Sequence, residues 1–572
     1  MMGLGHRIAV ARGHEPADLL LRGANLVNVC TGRVEPTDVV VAEGRVVALG
    51  PGYRAIREVE LEGRFLVPGL IDAHMHLEST MMVLAEFAQM VVPHGTTTVV
   101  LDPHEFANVL GIDGIRYVLD SGRDVPLSTY VMLSSCVPAS PFETPLRPLS
   151  AADLVPLLEH PKVLGLAEMM DISGVLAGDS DVLAKIEAVR AQGGVVDGHA
   201  PGLSGRDLCA YATAGPMSDH ECTTPEEARE RLRLGMWLMV REGSATRNLH
   251  ALLPVIQELH PPRALFATDD RDPVDLMTRG HIDSVVREAI AAGLDPIEAV
   301  RMATLNTAQY FGLRDRGVVA PGYVADLVVV EDLERFQVQS VYKDGVLVAD
   351  QGRPLFAVPA SDPPPTWQGL RVAPLTAEML MIRGRPGPAA VIGVEDGTVT
   401  TRHLTEEAPW CDGQVVADPA RDLCKMIVVD RHHGSGRAGL GLVRGMGLRQ
   451  GAIASTVAHD AHNLLAVGVD DADMLLAMEA VIQAKGGFAV AAGGRVLATV
   501  PLPVAGLVSN APAAVLVAQL GALDQAAAAL GCRLAHPCST LSFLCLSVIP
   551  ALKLTDQGLV DVEAGRLIPI QA

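Results

Sequence analysis

Apolar and polar positions first alternate in short runs, at 18–22, 25–29, 38–42 and 45–49, separated by Gly and Pro. Such punctuation predicts a small β unit. A matching set returns far downstream at 325–330, 338–342 and 346–348. Two half-sets flanking a long middle predict one sandwich with a larger domain inserted in it. In that middle, 65–312, apolar runs alternate with helical stretches. The runs are 65–71, 96–101, 128–133, 163–167, 194–196, 214–217, 237–240 and 264–267, and the helices include 181–192, 225–234 and 282–292. Eight strands alternating with crossovers predict an α/β fold, a (β/α)8 TIM-like barrel. The sixth run is the weakest and is kept because the barrel requires it. After Asp362-Pro-Pro-Pro365, a stiff linker, further strands and helices follow, among them 471–485. The expected domains are 1–64 with 313–362, a small β-sandwich; 65–312, the barrel; and 366–572, a C-terminal α/β or α+β domain.

Composition narrows this picture. A chain of 572 residues is too long for one core. With 49% hydrophobic and 20% charged residues it reads as a well-packed enzyme and not as a disordered protein. A formal charge of −22 argues against nucleic acid as a partner. The opening residues 1–15 hold His6, Arg7, Arg12 and His14 and do not read as a signal peptide. Two charge-poor stretches, 496–523 and 534–552, contain internal prolines and polar residues, so buried core is expected of them and not membrane spans. Nine cysteines without a CxxC pair suggest reduced thiols in a cytoplasm.

Candidate chemistry collects where the predicted barrel strands end. The first run leads into His74 and His76, whose i, i+2 spacing on a strand points both imidazoles to one side, toward a metal ion. The second is followed by Asp102, His104 and Glu105; the fourth by Glu168; the fifth by His199; the sixth by Asp219, His220 and Glu221; the eighth by Asp269 and Asp270. A lone histidine at a strand end is commonly a satisfied polar residue, and Asp-Asp before Arg271 reads as a helix cap. Six strand ends bearing ligand types point instead to convergence at the C-terminal face of a barrel, where catalytic groups lie.

Several phrases then carry a resemblance. They are Pro68-Gly-Leu-Ile-Asp-Ala-His-Met-His76, Asp102-Pro-His-Glu105, Gly165-Leu-Ala-Glu168, Asp197-Gly-His199, Ser218-Asp-His-Glu221, Arg241-Glu-Gly-Ser244, Thr268-Asp-Asp270 and Gly280-His-Ile-Asp283. Arg431-His-His-Gly434, Ala458-His-Asp-Ala-His-Asn463 and Thr540-Leu-Ser-Phe543 extend it through nearly the whole chain. On these the chain resembles the amidohydrolase superfamily and, within it, the bacterial adenine deaminases. The resemblance implies two divalent metal ions, with His74, His76 and Asp269 at one, His199 and His220 at the other, and Glu168 as bridge in place of the carboxylated lysine of many relatives. The resemblance associates manganese or iron with the site, manganese first, and the same ligands also suit zinc. The implied reaction is hydrolysis of adenine to hypoxanthine and ammonia, with free adenine preferred to adenosine. Asp269 would move the proton, and Glu78, Asp102, His104, Glu105 and Glu221 are candidates for the second acid. Arg241, Ser244 and Glu221 are candidates for contact with the base; a salt bridge and a helix cap are the plain alternatives for Arg241 and Ser244. A homodimer in the cytoplasm is expected, with a small-molecule substrate and no nucleic acid or membrane partner.

The C-terminal region leaves more open. Asp430-Arg-His-His-Gly-Ser-Gly-Arg437 lacks the ending of a phosphate loop. His459 and His462 could ligate metal, form a structural cluster, or close the mouth of the barrel; closure is the favoured reading. The rival functions are a cyclic amidase of the same superfamily, against which Glu168 counts, and a catalytically dead scaffold.

Overall fold

The apolar run that begins at Phe65 is divided at Gly69 and serves two sheets. Phe65–Pro68 pairs with Leu327–Val330 and Ala17–Asn28, while Leu70–Met75 opens the barrel. A Cβ on Gly69 would sit 2.2 Å from Thr97 Oγ1, so the crossing point has no room for a side chain. The computed structural model describes residues 3–358 and 367–571; the predicted linker Asp362-Pro-Pro-Pro365 lies outside the described residues.

The short strands before and after the barrel join in one nine-stranded sheet. Arg353–Pro354, Val346–Asp350, Val338–Lys343 and Leu327–Val330 continue through Phe65–Pro68 into Ala17–Asn28, Arg33–Ala42 and Arg45–Leu49, and Ala55–Glu60 pairs with Ala17–Asn28. The runs at 18–22 and 25–29 are one strand, with an irregular register between Leu21 and Ala24 where Gly23 turns to φ +61°.

Barrel strands follow the predicted order. Leu70–Met75, Thr96–Leu101, Ser128–Leu133, Val163–Met169 and Val195–Gly198 form one parallel sheet, and Ser218–Asp219, Trp237–Arg241 and Ala264–Ala267 another. Backbone hydrogen bonds join the two at both seams, from Met217 N to Val196 O at 3.0 Å and from Asp269 N to His74 O at 2.9 Å. The sixth strand does not lie at 214–217. Ala214 ends the helix Gly205–Ala214, and the strand is the two residues that follow Met217.

After the linker, eight strands form a sheet covered by Asp471–Gln483, and Leu552–Thr555, Gly558–Asp561 and Arg566–Ile568 add a small one. This region packs on the barrel through one continuous apolar core. Ser509 N donates to Met81 O at 2.7 Å and Asn463 Nδ2 to Thr144 O at 3.1 Å across the boundary. The stretch 496–523 resolves into the end of Arg495–Pro501, a loop and the start of Ala513–Ala529, and among the described residues no helix is long and apolar enough to cross a membrane. All nine cysteines are free thiols.

Candidate metal centre

Alternation along Leu70–Met75, and the turn just beyond it, put His74 and His76 at the C-terminal mouth of the barrel, both buried. His76 Nδ1 lies 3.0 Å from the carbonyl oxygen of Asp102. A carbonyl only accepts, so Nδ1 carries the proton and Nε2 is left with its lone pair, as metal ligation requires. That Nε2 faces Asp269 Oδ1 at 3.1 Å and Glu168 Oε1 at 3.5 Å.

Glu168 divides its carboxylate between two groups of histidines. Oε1 lies 3.5 Å from His76 and 3.9 Å from His74, while Oε2 lies 2.7 Å from His199 Nδ1 and 3.2 Å from His220 Nε2. Burial alone would raise this carboxyl, but hydrogen bonds and charge from His199 and His220 hold it well below the ordinary carboxylate range. Asp269 follows the same pattern: burial opposes ionisation, and Arg241 foremost among its partners outweighs it. Asp269 itself adopts φ +56°, a left-handed conformation that aspartate tolerates better than most residues and that functional sites often store.

The donor set fits divalent cations. His74 Nε2 and His199 Nε2 are buried with no hydrogen-bond partner, a cost that a cation would relieve. His74, His76 and Asp269 converge at one place, and His74, Glu168 and His220 at another. Imidazoles with two carboxylates suit manganese, iron or zinc alike.

Around these residues lies a cavity with two unlike walls. The barrel supplies His76, His104, Glu168, His199, His220 and Asp269, with Glu105, Glu221, Arg241 and Asp270 beside them. The C-terminal region supplies His459, Asp460 and an apolar surface of Val399, Phe543, Leu546, Val548 and Ile549. His104 is oriented from behind by Asp102, whose Oδ2 is 3.2 Å from Nδ1, and its Nε2 is 3.6 Å from Asp460 Oδ1. Arg241 binds Glu221 and places Nη1 2.8 Å from Asp269 Oδ2, so its fork is occupied by carboxylates at the cavity edge.

Other predicted residues stand outside this cavity. Asp102 lies behind His104, and Glu78 accepts the backbone N–H of Phe106 at 2.8 Å, with burial and then the charge of Glu105 pushing its carboxyl up to about 8. Ser244 accepts from Asp272 N at 3.0 Å and donates to Asp275 at 2.9 Å, and it borders two adjoining cavities. His459 lines the central cavity, whereas His462 lies one layer back against Glu105. The reading of the sequence missed Val399, Leu546, Val548 and Ile549, which carry no chemical signature, and Glu143, which accepts from the backbone N–H groups of Asp460 at 3.4 Å and Ala461 at 3.3 Å.

The profile of the amidohydrolase family matches residues 65–348, and that of the adenine deaminase C-terminal domain matches 398–566. An adenine deaminase of Desulfatibacillum aliphaticivorans is 49% identical over 571 residues, covering 98% of this chain and 99% of its own. One of Dehalococcoides mccartyi is 45% identical over 566 residues, covering 99% of each. Among solved structures, a mutant of atrazine chlorohydrolase from Arthrobacter aurescens TC1 aligns at 16% identity with a TM-score of 0.48, over 59% of this chain and 97% of that one. By full-length similarity to its relatives, the chain belongs to the adenine deaminase family of amidohydrolases.

Proposed function

We propose that the protein removes the exocyclic amino group of adenine, consuming one water and releasing hypoxanthine and ammonia. The reading is carried by the split carboxylate of Glu168 between His74 with His76 and His199 with His220, in a chain that aligns end to end with adenine deaminases. His74, His76, Glu168, His199, His220 and Asp269 would hold two divalent cations, manganese in this proposal. Such a pair, when bound, supplies the Lewis acidity that makes hydroxide available near neutral pH.

The chain's own groups do the rest. Asp269, kept ionised by Arg241, accepts the proton of the nucleophile at its carboxylate and returns it to the departing amino group. Proton supply to the ring falls to His104, which faces the cavity and is oriented by Asp102; Glu105 and Glu221 face it as carboxylates, and Glu78 lies behind Glu105. The apolar surface from the C-terminal region excludes water from one side of the base, which strengthens every charge interaction on the other. A homodimer belongs to the same proposal and rests on the family resemblance. The test is to incubate manganese-loaded protein with adenine and, separately, with a hydantoin. Ammonia and hypoxanthine from adenine alone are expected; ring opening of the hydantoin without reaction of adenine would overturn the proposal.

A further inference from the structure

Phe543 borders three cavities at once. The first is the central cavity; the second is an outer one lined by Ser244, Arg247, Thr398, His536 and Thr540; the third reaches Ser79 and Asp270. The phenyl ring lies flat against His459, with centroids 4.7 Å apart and planes 9° from parallel, and the residue is buried. Its backbone is held as well. Lys553 Nζ donates to Phe543 O at 2.9 Å and to Val399 O at 2.7 Å, tying together two segments of the apolar wall.

A ring stacked on one face and anchored through its own carbonyl is a fixed partition. We infer that Phe543 sets the size limit of the site, closing the central cavity against the outer one so that a bare purine is accepted and a purine substituted at N9 is refused. This inference rests on the adenine reading above. Its chemistry is steric on one side and permissive on the other: the outer cavity offers the hydroxyl of Thr540 and the guanidinium of Arg247, groups able to hydrogen-bond a sugar. Truncating Phe543 would join that space to the central cavity and convert exclusion into accommodation. Lys553 acts as a positioning residue, since it touches the wall through backbone carbonyls only.

The experiment compares manganese-loaded wild type, Phe543→Ala and Phe543→Leu. It reads kcat/KM for adenine, 9-methyladenine and adenosine, calorimetric binding of the same three, and metal content. In Phe543→Ala the ratio of N9-substituted to free base should rise by about tenfold or more, the scale on which one pocket contact discriminates, with metal content as in wild type. Phe543→Leu should move the ratio in the same direction by less. An unchanged ratio in a variant that keeps its metals overturns the inference. Should Phe543→Ala fail to fold, the ratio in Phe543→Leu decides alone. A wild type that leaves adenine unreacted defeats the proposed function separately, and the binding ratios then decide the partition by the same criterion.

Discussion

His462 Nε2 lies 2.9 Å from Glu105 Oε2, joining the C-terminal region to the helix that follows the second barrel strand. The backbone N–H of Ala458 donates to His462 Nδ1 at 3.0 Å. Nδ1 is therefore unprotonated, and the neutral ring carries its proton on Nε2, beside Glu105. Burial lowers this imidazole to about 4, consistent with a neutral ring. Glu105 is driven the other way: burial opposes ionisation, but His459 and His462 hold the carboxyl at about 2. His462 Nε2 is thus a buried N–H that lies beside a carboxylate without the geometry of a hydrogen bond, and a cation at the same nitrogen would require an imidazolate.

The first prediction follows from that pair. His462→Ala removes a fully buried imidazole that packs against the Glu105 carboxylate, a loss of about 1–3 kcal/mol, so the melting temperature should fall. His459→Ala and His462→Ala should both reduce adenine turnover while metal content stays at the wild-type level. Unaltered kinetics in both variants would make the C-terminal region structural only.

Glu168→Gln should lower metal content, because an amide is a poor bridge and removes one negative charge. Activity should drop by about 10- to 100-fold or more, the scale seen when groups supporting a metal site are lost. Elemental analysis beside an activity assay checks it. Equal metal content with normal activity would remove Glu168 from the centre.

Asp269→Asn should separate chemistry from occupancy. Five other candidate ligands remain, while the proposed proton acceptor is gone, so kcat should fall by about 10²- to 10⁴-fold with a smaller change in metal content. Arg241, 2.8 Å from Asp269, would then face a neutral amide. A variant that loses metal and activity in parallel would give Asp269 a ligand role alone.

Lys553 gives the stability curve a definite slope. Burial depresses its ammonium from 10.5 to about 7, with the neighbouring Cys545 thiol kept neutral by burial. Between those values the unfolded chain binds a proton that the folded chain does not, so stability rises with pH across that window and is flat below about 7. A neutral amine still donates to Val399 and Phe543. Relative to Lys553→Met, wild type should gain about 1.4 kcal/mol per pH unit within the window, read by denaturant unfolding from pH 6 to about 10. Parallel curves would contradict it.

Much of this architecture is legible in the sequence, for physical reasons. Largely buried barrel strands read as mainly apolar or β-branched runs, so Thr96–Leu101, Ser128–Leu133 and Ala264–Ala267 fall where the pattern puts them. Two-residue Ser218–Asp219 is polar and lacks that signal, and the pattern places the strand on the end of the preceding helix. Gly69 divides a run that hydropathy alone treats as one. Ligand-type residues announce themselves by chemistry and by position at strand ends. The opposite wall does not, because Val399, Leu546 and Ile549 are ordinary apolar residues until the fold sets them against Glu168. Glu143 and Asp460 lie 317 positions apart, and nothing local encodes their meeting.

The central claim is that His74, His76, Glu168, His199, His220 and Asp269 would hold two divalent cations and that the protein so loaded hydrolyses adenine. Its most direct measurement is a titration of manganese into metal-stripped protein, with bound metal, ammonia and hypoxanthine followed in the same samples. The account predicts turnover that climbs to a plateau at two ions per chain, with one ammonia released for each hypoxanthine formed. Full activity at one ion per chain, or two ions bound and adenine left unreacted, would contradict it.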